Sequence, residues 1–168
     1  YSAAQVTLLF LINYIFNWIF AERIGILIGR VGERTALSLE YIGLIVVFTG
    51  YAFVDNAYLA AGLYVIDHMF FALAIAIPTY FQKIADHADM ASSAGVSFTI
   101  NHIAAIVIPV LLGFIWIYSH AVVFLIGSGF AICSLLLAQN IPDKPAPGNE
   151  ANWGYKSAKS VPSTSGES

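Results

Sequence analysis

The stretch HAVVFLIGSGFAICSLLLAQ, residues 120–139, runs for 20 residues without a single Lys, Arg, Asp or Glu. Crossing about 30 Å of hydrocarbon takes about 20 mostly apolar residues in helical form, so this stretch is long and apolar enough to span a membrane. Immediately before it, residues 91–118 are equally free of those four residue types and carry one histidine. Three more apolar stretches precede these, at about 4–28, 36–54 and 57–82. The breaks between them are short and polar: 30–35, Asp55-Asn56, 83–90 and Ser119. The pattern predicts an all-α polytopic transmembrane bundle of five spans over residues 1–139, with tightly joined neighbours running antiparallel. Amphipathic helices lying on a bilayer show a strongly charged face, which these stretches lack.

Composition agrees. Of 168 residues, 59% are hydrophobic and 10% are charged, against roughly a quarter charged in a soluble domain, and the mean hydropathy is +0.78. Lipid therefore has to solvate much of the exterior. The net charge of −3 and the absence of a basic stripe argue against a nucleic-acid partner. The lone Cys133 excludes an internal disulfide and any cysteine-based metal cluster. No basic segment precedes the first apolar run, so that run does not read as a signal peptide. The opening Tyr1-Ser2-Ala3 reads as a cropped chain with earlier residues missing. From Asn140 to Ser168 the composition turns to Pro, Gly, Ser, Lys and Asn, and this segment is expected to be a disordered tail, with Trp153 and Tyr155 as its only aromatic groups.

Basic residues set the expected orientation. Arg30 and Arg34 lie in the first break, Lys83 at the third, and Lys144, Lys156 and Lys159 in the tail, while the second and fourth breaks hold none. With five crossings these six fall on one side, with Arg23 near it, and the positive-inside rule makes that side cytoplasmic. The expectation is a multi-pass inner-membrane protein whose N-terminal end lies outside and whose C-terminus is cytoplasmic.

The first break contains Gly25-Ile-Leu-Ile-Gly-Arg-Val-Gly-Glu-Arg34. It resembles the Gly-x-Leu-x-Asp-Arg-x-Gly-Arg-Arg loop of the major facilitator superfamily, through Gly25, Leu27, Arg30, Gly32 and Arg34. Gly29 stands where that pattern has an acid, and Glu33 where it has a base. In that family the motif joins helices two and three, and a weaker copy joins helices eight and nine. Four spans follow the motif here, so the resemblance implies helices eight to twelve of a twelve-helix secondary transporter. The loop chemistry stands apart from the resemblance: Gly29 and Gly32 permit a tight reversal, and Arg30 and Arg34 can bond helix-end carbonyls or an acid such as Glu22 or Glu40.

Polar groups within the spans each need a reason, because an unpaired charge in the bilayer costs a few kcal/mol. Asp67 and His68 fall near the middle of the third span. Helical neighbours point about 100° apart, which predicts that these two do not share one site. Asp67 reads either as a proton-coupling or substrate-binding carboxylate, with His68 a further pathway candidate, or as a structural group bonded to Asn101 or His102. Asn101 and His102 lie near the middle of the fourth span, where they can glue helices or, for His102, carry a proton. Asn13 and Asn17, one turn apart on the first span, can line a polar cavity or bond a neighbouring helix. Pro78 and Pro109 predict bent helices. Gly25, Gly29, Gly127 and Gly129 are expected to mark close helix contacts. No zinc-protease, serine-hydrolase or Walker motif is present, and no cofactor or metal is expected.

The leading expectation is thus the C-terminal part of a non-enzymatic transporter that moves a small-molecule substrate across the bilayer by alternating access, proton-coupled by resemblance. Its pathway would be completed by the missing N-terminal helices. The alternatives are a channel or intramembrane enzyme subunit using Asp67 and His102, or a non-transporting membrane interaction protein.

Overall fold

The computed structural model describes residues 2–85 and 90–153. The described residues hold six α-helices: α1 (Ala3–Val31), α2 (Glu33–Phe53), α3 (Ala57–Phe71), α4 (Ala76–Ile84), α5 (Met90–Tyr118) and α6 (His120–Ala138). A 3-10 turn over Ala72–Ile75 joins α3 to α4, so that together they form one span. Five helical segments are long and apolar enough to cross a membrane, and the protein is a membrane-embedded all-helical bundle.

The ends of the helices follow local chemistry. Ser2 and Gln5 form a reciprocal capping box at the start of α1. Asn56 Oδ1 accepts from the Tyr58 and Leu59 amides to open α3, and Ser119 caps α6 through the Val122 amide. The break in the third span comes just before Pro78, which has no N–H to give the Ala74 carbonyl. The chain tightens to 3-10 geometry over that turn instead of continuing as α-helix. Pro109 is accommodated inside α5 without interrupting it.

The reversal between α1 and α2 is made by one residue. Gly32 adopts φ 85°, ψ 154°, a region open essentially to glycine alone, while Gly29 is an ordinary helical residue inside α1. Because no atom lies where a Gly32 side chain would project, the cost of Gly32→Ala is backbone strain only. We expect it to lower the unfolding free energy by about 1–3 kcal/mol, measurable by denaturation in mixed micelles.

Helix α2 is the centre of the bundle and packs on α1, α3, α4 and α6. Its inward stripe reads Glu33, Ala36, Leu37, Glu40, Gly43 and Val47, the three- and four-residue spacing of one helix face. Against α6 it places Thr49 Oγ1 at 3.2 Å from Ser128 Oγ and stacks Tyr51 on Phe124. Against α3 it presents Gly43, where the Phe70 ring occupies the space a Cβ would take, and Gly50, which meets Leu63. The expected close-contact glycines fare differently: Gly127 lies against Phe48, but Gly25, Gly29 and Gly129 have open space beside them.

Ile28, Ala36, Leu37, Ala76, Ala138 and Ile141 form a core at the Gly32 end, here called the motif end. Helix α5 packs mainly on α6 and has no buried residue. At the opposite end Tyr58 and Tyr118 are 87% and 89% exposed, the placement of interfacial aromatics.

The segment after α6 differs from the disordered tail expected. Residues 140–153 fold back over the motif end as a strap with a turn at Gly148. Asn152 donates its backbone N–H to the Asn140 carbonyl at 2.7 Å and its side-chain amide to the Ile141 carbonyl. Tyr80 donates to the Glu150 carbonyl. Satisfied amides of Asn140, Asn149 and Asn152 give order that a count of polar residues does not reveal. Residues 154–168, with Tyr155, Lys156 and Lys159, and residues 86–89 of the third break lie outside the described residues.

Candidate functional site

Helices α1 and α3 flank α2 in the chain, each joined to it by a tight reversal, and so run in the same direction. Phe10 of α1 meets Tyr64 of α3 edge-on, with ring centroids 6.1 Å apart. One turn further along each helix come Asn13 on α1 and Asp67 and His68 on α3. Asn13 lies ten residues into α1 and Asp67 ten residues into α3. At 1.5 Å per residue, both sit about 15 Å from their helix starts, well inside segments long enough to cross a hydrocarbon layer of about 30 Å.

This cluster holds unsatisfied polar atoms. Asn13 is 5% exposed, and its Nδ2, the Tyr64 hydroxyl and Asp67 Oδ1 are all buried without a hydrogen-bond partner. Buried polar groups are nearly always paired, and each unpaired one costs about 1–3 kcal/mol. A donor amide on α1 and a hydroxyl and a carboxylate oxygen on α3 are thus buried with bonding capacity unspent. Asn17 turns back on its own helix, donating to the Asn13 carbonyl at 3.1 Å.

Asp67 and His68 do share a site, contrary to the expectation from helical angle. His68 Nδ1 lies 3.5 Å from Asp67 Oδ2 and 3.1 Å from the Tyr64 carbonyl, and its ring packs on Tyr64 at 4.3 Å. The angle between adjacent Cα–Cβ bonds fixes only where side chains start. Here the imidazole folds back over its own helix and meets the carboxylate. In contrast, Asn101 and His102 are not part of the cluster. Both are exposed on α5, and His102 turns Nδ1 to the Phe98 carbonyl at 2.9 Å, so Asp67 is not bonded to either residue.

The motif residues divide. Gly32 makes the reversal, and Arg34 donates to Gln139 Oε1 at 3.2 Å and pairs with Asp143 at 3.5 Å. Gln139 in turn donates to Ser38 Oγ at 2.8 Å, tying α2 to the end of α6. Gly25, Leu27 and Arg30 lie exposed on α1. Neither arginine pairs with Glu22 or Glu40, and Arg23 lies over the Phe20 ring.

Three groups take places in the structure that the sequence did not assign to them. Tyr64 lies one turn before Asp67 on α3. Glu33 is 2% exposed and pairs with Lys83 Nζ at 2.5 Å, a contact between residues 50 positions apart in the chain that no local pattern announces. Glu40 is 3% exposed with Oε2 unpartnered; its seven-residue spacing from Glu33 on the stripe of Ala36, Leu37 and Gly43 was the available signal. A separate cavity of about 290 Å³ opens at the motif end between Leu37, Tyr41, Ile77, Tyr80, Ser134 and Asn140. It includes none of the mid-membrane polar residues. Among the described residues no group of three or more His, Cys, Asp or Glu is arranged to hold a metal ion.

The fold defines a membrane-embedded helical protein that carries buried, unpaired polar atoms within its spans. Comparison with protein families, curated proteins and solved structures finds no match.

Proposed function

We propose that this chain forms part of a secondary transporter of the major facilitator type, carrying a small solute across the inner membrane with proton coupling. The single observation carrying this reading is that Asn13 Nδ2 on α1 and the Tyr64 hydroxyl and Asp67 Oδ1 on α3 are all buried and unpartnered, on two helices that meet through Phe10 and Tyr64. Ionisable residues deep in a membrane segment commonly mark substrate or proton pathways, and transporter sites lie near the midplane between discontinuous helices. The span carrying Asp67 is itself discontinuous, broken by the 3-10 turn one residue after α3 ends.

In this reading Asp67 is the proton carrier, His68 its adjacent partner, and Asn13, Asn17 and Tyr64 offer hydrogen bonds to the solute. The exposed face of α5 with Asn101 and His102 turns toward further helices of the same protein, since amide and imidazole groups at mid-depth are poorly solvated by lipid. The motif end is cytoplasmic, by the basic residues Arg30, Arg34, Lys83 and Lys144 that the described chain carries there.

Gradient-driven flux of the intact protein in proteoliposomes, measured over a substrate panel, tests this. Asp67→Asn is expected to reduce uphill, proton-driven flux to background while sparing solute exchange. Uphill flux equal to wild type in that variant contradicts the role given to Asp67.

A further inference from the structure

Glu40 is absorbed by none of the above. It lies seven residues into α2, about 10 Å from the helix start, on the face turned to the bundle centre. Its side chain is among the least exposed in the protein at 3%, and Oε2 has no hydrogen-bond partner. The basic groups nearby are committed elsewhere. Lys83 is on Glu33, Arg34 on Gln139 and Asp143, and Arg23 over Phe20, while Arg30 is exposed. Helix α6 has no Lys or Arg, and its one histidine, His120, sits at the far end beside Trp116. Tyr41 is its chain neighbour and lines the motif-end cavity.

The contacts of Gly43 with Phe70 and of Gly50 with Leu63 fix the register of α2 against α3. Asp67 stands one turn from Phe70 toward the opposite end, and Glu40 one turn from Gly43 toward the motif end. The two carboxyl positions are therefore about 9 Å apart along the bundle, and Glu33 lies about 10 Å further on. Asp67, Glu40 and Glu33 make a descending series from mid-depth to the motif end, and only the last is met by a lysine.

We infer that Glu40 is a second proton-accepting carboxyl inside the membrane segment, standing between the Asp67 cluster and the motif end. A buried carboxylate without a cation or donors is expensive, and a proton is the one counter-charge this position can take without rearrangement of the helices. The inference deepens the transport reading by giving protons a station between Asp67 and the aqueous phase at the motif end. Its test does not depend on flux.

Dicyclohexylcarbodiimide partitions into membranes and adds to protonated carboxyl groups but not to carboxylates. The intact protein in liposomes is treated in acidic and in alkaline buffer, and adducts are located by peptide mass mapping; a sample unfolded in detergent shows that the Glu40 peptide is detected. An adduct is expected on Glu40 in the folded protein, diminishing in alkaline buffer and absent from Glu40→Gln, with none on the lysine-paired Glu33. The isosteric Glu40→Gln variant is expected to unfold at the same denaturant concentration as wild type or a higher one. No Glu40 adduct in the folded protein, an adduct equal at both pH values, or marked destabilisation of Glu40→Gln each overturns the inference. None of these outcomes bears on Asp67-dependent flux, so the two readings fail separately.

Discussion

Lys83→Met is expected to lower the unfolding free energy by about 3 kcal/mol, whereas Glu33→Gln is expected to lower it by about 1 kcal/mol. The two substitutions break the same 2.5 Å ion pair, and the asymmetry comes from what each leaves behind. The Glu33 side chain is 2% exposed and the Lys83 side chain 45%. Removing the lysine strands a carboxylate in the interior, the situation that costs roughly 3–5 kcal/mol in buried pairs. Removing the carboxylate leaves an ammonium that water already reaches, and half-exposed pairs contribute little. Helix ends soften the first effect. Glu33 opens α2 and Lys83 sits in the last turn of α4, each at the helix terminus whose dipole suits its charge, so the figure belongs at the lower end of the range. The double variant Glu33→Gln with Lys83→Met should recover most of the loss. Unfolding in mixed micelles, followed by circular dichroism, reads all three; equal losses for the two single variants contradict the burial argument.

The second large effect is steric. Gly43→Leu is expected to cost about 3 kcal/mol, at the top of the range for overpacking, because a Cβ at that position lands on the Phe70 ring. The atoms met are Cγ and the two Cδ carbons at the base of the ring, so the whole Phe70 side chain has to swing to another rotamer to clear them. Coupling with Phe70→Ala should be strong: residues in contact show interaction energies of about 0.5–3 kcal/mol, and the double variant should be less destabilised than the sum of the singles. Gly25→Ala and Gly29→Ala, with open space beside them, should be neutral or stabilising by up to about 1 kcal/mol through the better helix propensity of alanine. The same denaturation measurement separates the two classes of glycine.

The five spans were legible because a membrane segment is defined by length and apolarity, both local properties. The expected ends at 57–82 and 120–139 fall within two residues of the helical segments Ala57–Ile84 and His120–Ala138. Asn56 and Ser119 could be placed at helix starts for the same reason. What depends on which helix meets which was not legible. Glycine at 43 and glycine at 25 look alike in sequence, and only the approach of Phe70 distinguishes them. Asp67 was recognisable as an intramembrane acid, but its seam with Asn13 and Tyr64 needs the register of α1 on α3. Asn101 and His102 carry the same chemistry at the same depth and sit on a helix that packs mainly on α6. The strap over residues 140–153 reads as disorder by composition because it has few apolar groups. Its order comes from amide side chains bonding nearby backbone, together with the burial of Ile141 in the core.

If the α1–α3 seam lines a water-reachable pathway, thiol accessibility in the membrane will show it. With Cys133 replaced by serine, single cysteines are placed at Asn17, beside the seam, and at Ile15, exposed on the other side of α1. Both sit at nearly the same depth. The account predicts that a water-soluble, charged thiol reagent modifies the cysteine at 17 in the intact protein and leaves the one at 15 unmodified. Reaction at neither position, or equal reaction at both, contradicts it, and makes the polar residues of the seam an internal fastening between helices.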